Sequence, residues 1–134
     1  MKVIIDLNVL LDVIQKRQPH YDASAKALSR VLKDQADAVL PGHAVTTIYY
    51  VVAKYADQNH ADDAVDWMIK HFDIEASGKA DFIRARSLSM TDFEDAVIAA
   101  LAERAGCDYI VTRNVADFAG SPVPAITPLA FLSV

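Results

Sequence analysis

Val3-Ile4-Ile5-Asp6-Leu7-Asn8-Val9-Leu10-Leu11-Asp12 sets the reading of the whole chain. Val3–Ile5 is a short run of β-branched residues with no polar alternation. That is the pattern of a parallel strand buried on both faces. It stops at Asp6, and Val9–Ile14 then has helical character, with Asn8 able to cap it. The same strand-then-helix unit recurs along the chain. Ala38–Leu40, stopped by Pro41-Gly42, is a strand ahead of a helix over Thr46–Tyr55. Asp73–Ala76 is a short strand ahead of a weakly helical Ala80–Ser87. Tyr109–Val111 is a second buried strand, and Ala125-Ile126 a further one, after which Thr127-Pro128 opens a last short helix.

Between these strands, Tyr21, Ala25, Leu28 and Leu32 recur at helical spacing, as do Ala61, Val65, Met68 and Phe72, with Asn59 as a cap. Thr91-Asp92-Phe93-Glu94 fits a capping box, with the hydroxyl at the cap and Glu94 three residues on. Ala96–Ala102 follow without a polar side chain, and Gly106 sits where a helix end favours positive φ. Strands alternating with helices predict an α/β domain. Right-handed crossovers would place helices on both faces of a central parallel sheet, a three-layer α/β/α sandwich spanning residues 1–134 as one domain.

Composition narrows the class of function. The chain has 134 residues, 53% of them hydrophobic and 23% charged, enough for a core of its own and too apolar for a disordered segment. A single cysteine, Cys107, excludes an internal disulfide framework and a cysteine-based zinc site. The N-terminal segment has no signal-peptide pattern and there is no run of 18 apolar residues. A cytoplasmic protein without a membrane partner is therefore expected. The net charge of −5 argues against a non-specific nucleic-acid coat. It leaves room for a nuclease, because a bound cation reverses the local sign.

The acids fall where such a fold binds ligands, beyond the carboxyl ends of its strands. Asp6 ends the first strand. Asn114 and Asp117 lie on the loop after Tyr109–Val111. Each could also be a plain turn or cap residue. Asp95 is harder to explain that way, since Ile98, Ala99 and Ala102 on its helical face are all apolar. A carboxylate there needs a partner or a metal. Converging carboxylates would raise one another's pKa or bind a hard cation such as Mg²⁺ or Mn²⁺, whose chemistry is phosphate displacement.

His20, His43, His60 and His71 show no metal-ligand spacing and read as surface or satisfied core residues. Cys107 reads as buried and inert. Tyr49, Tyr50, Tyr55, Trp67 and Phe72 recur at mostly helical spacing, which favours packing, although an aromatic face could also meet a second copy or another protein.

Asp6 through Asp12, Asp92-Phe93-Glu94-Asp95-Ala96, and Tyr109–Asn114 followed by Asp117-Phe118 resemble the PIN-domain ribonucleases, in particular the VapC-like toxins of toxin–antitoxin pairs. The ending Val123–Pro128 with Phe131-Leu132 resembles that family's last strand and helix. The resemblance implies a Mg²⁺- or Mn²⁺-dependent endoribonuclease. It would cleave RNA by in-line attack on phosphorus, leaving 5′-phosphate and 3′-hydroxyl ends, and would be neutralised by an antitoxin protein and commonly dimeric. It implies Asp6 and Asp95 as the main metal ligands, with Asn114 and Asp117 completing the site. Asn8 and Thr112 would orient ligands or water, and Arg113 would contact a phosphate, unless it is a plain solvated loop residue.

One position departs from the family. Thr47 stands where a Glu is usual early in the helix after the second strand, and Asp92 is the acid that would compensate, unless it serves only the helix dipole. Thr47 therefore keeps a second reading open, a PIN fold with weak or no catalysis that binds RNA or protein. A phosphatase of the haloacid dehalogenase type would need a second aspartate where Asn8 stands.

Overall fold

The structure is a computed structural model describing residues 1–134. Its centre is a five-stranded parallel sheet: β1 (Lys2–Ile5), β2 (Asp37–Pro41), β3 (Asp73–Glu75), β4 (Tyr109–Val111) and β5 (Ala125–Ile126), in the order β3-β2-β1-β4-β5. Register is fixed at the middle of the sheet, where Ile4 pairs with Val39 on one side and Ile110 on the other. Side chains alternate in direction along each strand. Val3 and Ile5, Ala38 and Leu40, and Val111 enter one core; Ile4, Val39 and Ile110 enter the other. Having no polar alternate position is what makes these strands suit the centre of a sandwich.

Crossover handedness accounts for the layers. The chain steps outward from β1 to β2 to β3, so α1 (Leu7–Ile14), α2 (Tyr21–Leu32), α3 (Gly42–Tyr55) and α4 (Gln58–His71) fall on one face. It then returns across β1 to reach β4, which puts α5 (Lys79–Ser87) and α6 (Phe93–Arg104) on the opposite face. A short 3₁₀ helix, Val115–Phe118, follows β4 on that same face through Phe118, and α7 (Pro128–Phe131) returns to pack on α2. Reversal of strand order between β1 and β4 creates the switch point at which such sheets bind ligands. The three-layer sandwich expected from the sequence is the fold observed.

Several helix starts differ from the sequence reading. α1 begins at Leu7 with Asp6 as its N-cap residue, so Asn8 is inside the first turn rather than the cap. α4 is capped by Asp57, which accepts from the His60 N–H at 2.8 Å, and not by Asn59. The box beginning at Thr91 does not form, because Asp92 takes the cap position and accepts the Asp95 N–H at 2.9 Å. α3 starts at Gly42, immediately after the strand, although Pro41-Gly42 reads as a break. A fixed φ at Pro41 is compatible with the residue that precedes a first helical turn. Gly106 has φ +71, as expected at the end of α6. Gly120 (φ +90) has no room for a side chain, since a Cβ would stand 2.3 Å from the Ser89 carbonyl oxygen.

Candidate active site at the carboxyl edge of the sheet

Asp6 leaves β1 at the switch point and is buried. Its backbone N–H continues the sheet by donating to the Val111 carbonyl at 3.0 Å. Although Asp6 occupies the N-cap position of α1, its carboxylate makes no capping bond. It accepts instead from Thr112 Oγ1 at 2.8 Å. Thr112, fully buried at the end of β4, also accepts the Asn114 N–H at 3.1 Å. One hydroxyl thus orients Asp6 and shapes the start of the next loop. Burial raises the Asp6 pKa above the usual carboxylate value; the Thr112 and Leu7 hydrogen bonds oppose it, Glu94 adds to it and Arg113 opposes it.

Asp95 sits in the first turn of α6, half-buried, its i+3, i+4 and i+7 neighbours wholly inside the core. Its carboxyl is pushed up to about 7, first by burial and then by repulsion from Asp92, Asp6, Asp117 and Glu94. Three acids that lie far apart in sequence therefore share one electrostatic neighbourhood. Asn114 is exposed and caps the 3₁₀ helix without a side-chain bond; Asp117, within that helix rather than on a plain loop, is exposed and donates its N–H to the Asn114 carbonyl at 3.0 Å. Asn8 is half-buried in the first turn of α1.

Other candidates stand differently. Arg113 is 21% exposed, and its Nε donates to Oδ2 of the fully buried Asp12 at 2.7 Å, so it is a paired group and not a free solvated one. Asp92 is committed to capping α6, and Glu94 is the acid that adds to the field on both Asp6 and Asp95. Sequence reasoning passed over Glu94 because first-turn acids are explained by the helix dipole. Thr47 is half-buried in α3, on the wall of a cavity that Glu94 also lines. His43 Nε2 lies 3.6 Å from Glu94 and is buried without a hydrogen-bond partner, so the expectation of a satisfied histidine fails there. Tyr50 and Tyr55 are exposed rather than packed. Cys107 is buried, its thiol pushed up to about 11 by desolvation, which keeps it protonated and inert.

A divalent cation is a chemical fit to this edge through a small number of carboxylates. No three His, Cys, Asp or Glu side chains stand close enough to grip an ion unaided. The donors are hard oxygens, and Mg²⁺ is typically held by one or two carboxylates with water filling the rest of its shell. Asp6 and Asp95 are the two carboxylates that would hold such an ion, and the repulsion of Asp95 by Asp6 is what it would relieve.

The sequence profile of the PIN domain matches residues 2–116. This chain belongs to the PIN domain family. The PIN domain is also similar, at 28% identity over 118 residues (84% of this chain and 81% of the relative), to Ribonuclease VapC1 of Aquifex aeolicus. In fold it resembles VapBC2 from Rickettsia felis, solved bound to a promoter DNA fragment, with a TM-score of 0.75 at 17% identity over 95% of this chain and 98% of that one. It also resembles VapC20 of Mycobacterium tuberculosis, a toxin that cleaves the sarcin–ricin loop, with a TM-score of 0.66 at 10% identity over 81% and 86% of the two chains. Among the helices of this PIN domain, none is long and apolar enough to cross a membrane.

Proposed function

We propose that this chain is a divalent-metal-dependent endoribonuclease, the toxin of a toxin–antitoxin pair, working in the cytoplasm as a homodimer. The observation that carries the reading is the Asp95 carboxyl pushed up to about 7, first by burial and then by the fields of Asp92, Asp6, Asp117 and Glu94, at the switch point of the sheet. Asp92 caps α6, but Asp6 makes no capping bond, and perturbed carboxylates gathered at such an edge mark functional sites. PIN-domain ribonucleases generally use divalent ions, and the similar proteins named above include a ribonuclease and a toxin that cleaves the sarcin–ricin loop.

In this reading Asp6 and Asp95 hold Mg²⁺ or Mn²⁺, and Asn114 and Asp117 complete its surroundings. A divalent ion at that place supplies acidity to a water and neutralises charge on phosphate and leaving oxygens. Thr112 fixes the rotamer of Asp6 by donating to Oδ2, and its acceptance of the Asn114 N–H holds the loop carrying Asn114 at a set distance. Asn8 orients water at the mouth of the site. Arg113 keeps Asp12 neutralised through Nε and offers its remaining N–H groups to a phosphate. The expected products are 5′-phosphate and 3′-hydroxyl ends.

Asp6→Asn keeps the shape and the Thr112 bond while removing the charge. Loss of groups that only support a metal ligand commonly costs 10- to 100-fold, so losing the ligand charge itself is expected to cost at least about 100-fold in RNA cleavage. A folded Asp6→Asn protein that cleaves RNA at the wild-type rate would overturn the assignment. Thr47, an uncharged residue where the family usually has Glu, favours one second reading, a weakly catalytic PIN fold that binds RNA or protein. Calorimetric titration with Mn²⁺ separates the two, since tight stoichiometric uptake lost in Asp6→Asn supports the enzyme.

A further inference from the structure

Beside the acidic centre lies a cavity of about 490 Å³, at the same carboxyl edge of the sheet, where β2 and β3 pass into α3 and α5. Phe82 of α5 and Phe93 of α6 form one wall. Their rings are stacked, with centroids 6.3 Å apart and planes 29° from parallel, yet they are 43% and 49% exposed. Two large aromatic faces left to water in this way are unusual for a region that serves packing alone. The wall is held firmly from behind. Arg104 of α6 binds Asp81 at 2.8 Å, and Arg84 binds Glu103 at 2.8 Å, so the rings sit on two helices clipped to each other.

The opposite side of the cavity is polar. His43 Nε2 and Ser77 Oγ are both shielded from solvent without a hydrogen-bond partner. Leaving such atoms unpaired is unfavourable, and a ligand that pairs them removes the penalty. Both residues line the cavity. Thr47 adds a hydroxyl to the same lining, and Glu94 joins the cavity to the acidic centre.

We propose that this cavity is a nucleobase subsite, in which one base of a single-stranded RNA stacks on the Phe82–Phe93 platform and presents its edge to His43, Ser77 and Thr47. The chemistry of the lining matches a base on both counts. Its faces are flat and apolar, its edge carries donors and acceptors, and stacking on aromatic side chains is how unpaired bases are held. Position supports the same occupant. Glu94 lines this cavity and its charge also acts on Asp6 and Asp95, so a base held on the rings lies next to the acidic centre. Discrimination between bases would then come from His43, Ser77 and Thr47, and the choice of cleavage position from this slot. RNA as the ligand rests on the ribonuclease reading above.

The test uses the full chain as Asp6→Asn, which binds without cutting, and short single-stranded RNAs carrying one 2-aminopurine. Stacking quenches that base. Quenching is expected at one position of the RNA, with affinity falling about 10-fold on adding Phe82→Leu or Phe93→Leu and preserved in Phe93→Tyr. Removing the base at that position is expected to weaken binding to the parent as much as removing the ring does. Equal quenching and affinity in the Leu variants overturns the proposal. So does a shift of those variants from dimer to monomer with RNA affinity unchanged, which would assign the rings to a second copy. Wild-type cleavage is scored separately: base capture without cleavage keeps the slot and refutes the ribonuclease, and cleavage without ring-dependent capture does the reverse.

Discussion

Asp12 carries its carboxylate where water does not reach, fully buried in α1. Its Oδ2 accepts from Ser24 Oγ at 3.0 Å and from Arg113 Nε at 2.7 Å, while Oδ1 has no partner. An incompletely satisfied buried ion pair adds little net stability, but breaking it strands a charge. Arg113→Ala is therefore expected to destabilise the fold by about 3–5 kcal/mol, read by urea unfolding. Replacing both partners by apolar residues, Asp12→Leu with Arg113→Met, is expected to cost less than that single change. Arg113 lies between Thr112 and Asn114, so the pair also ties the loop of the acidic centre to α1. None of this was legible in the sequence, because the partners stand 101 residues apart and a lone loop arginine looks solvated.

At the scale of elements, the first turn of α6 does two things at once. Asp92 accepts the Asp95 N–H and so closes the helix end, and its charge is the foremost of those that raise Asp95. The two roles separate on substitution. Asp92→Ala removes the cap and is expected to cost about 1 kcal/mol in thermal unfolding. Asp92→Asn keeps an acceptor but removes the charge, so the fold should hold while the Asp95 carboxyl titrates below about 7 in a carbon-detected NMR titration. A titration unmoved by Asp92→Asn would mean that Asp92 adds nothing and that burial with the remaining acids sets Asp95. The elements themselves were readable, since β-branched runs and helical stripes are repeated over many residues. Their starts were not. Thr91 and Asp92, Asp57 and Asn59, and Asp6 and Asn8 are all cap-competent, and only the packed backbone chooses between neighbours. Likewise α3 follows β2 without a gap because Pro41 can end a strand and precede a helix, a double use that Pro-Gly hides.

For the molecule as a whole, the consequence lies in what folding brings together. A central parallel sheet was implied by strands alternating with helices, and with it the carboxyl edge beyond which Asp6 and the residues after β4 lie; the order β3-β2-β1-β4-β5, which makes β1 and β4 neighbours, was not. How near Asp95 and Glu94 would come was not implied, because that depends on where α6 rests on the sheet. In the unfolded chain Asp6 and Asp117 are far from Asp95, and every one of these carboxylates is solvated. In the folded chain Asp95 keeps its proton up to about 7, and Asp6 is raised as well. Between the unfolded value of 3.8 and about 7 the folded state holds a proton that the unfolded state has released. Each rise in pH across that window therefore favours unfolding, so this contribution is fully present below about 3.8 and lost as pH passes 7. The lowered pKa values of Asp57, Asp81 and Glu103 act in the opposite sense, but their windows end at the unfolded values of 3.8 and 4.5 and so lie below pH 5. With chelator present, the melting temperature is expected to fall from pH 5 to pH 8, and Asp95→Asn is expected to flatten that fall, the difference between the two proteins removing other titrating groups such as His60. Mg²⁺ at pH 8 should restore the wild type and not Asp95→Asn, by about 2.7 kcal/mol when the ion stands at 100 times its Kd. Equal pH slopes for the two proteins, or equal responses to the ion, would mean that repulsion at this edge is already relieved within the chain and that no cation is needed to relieve it.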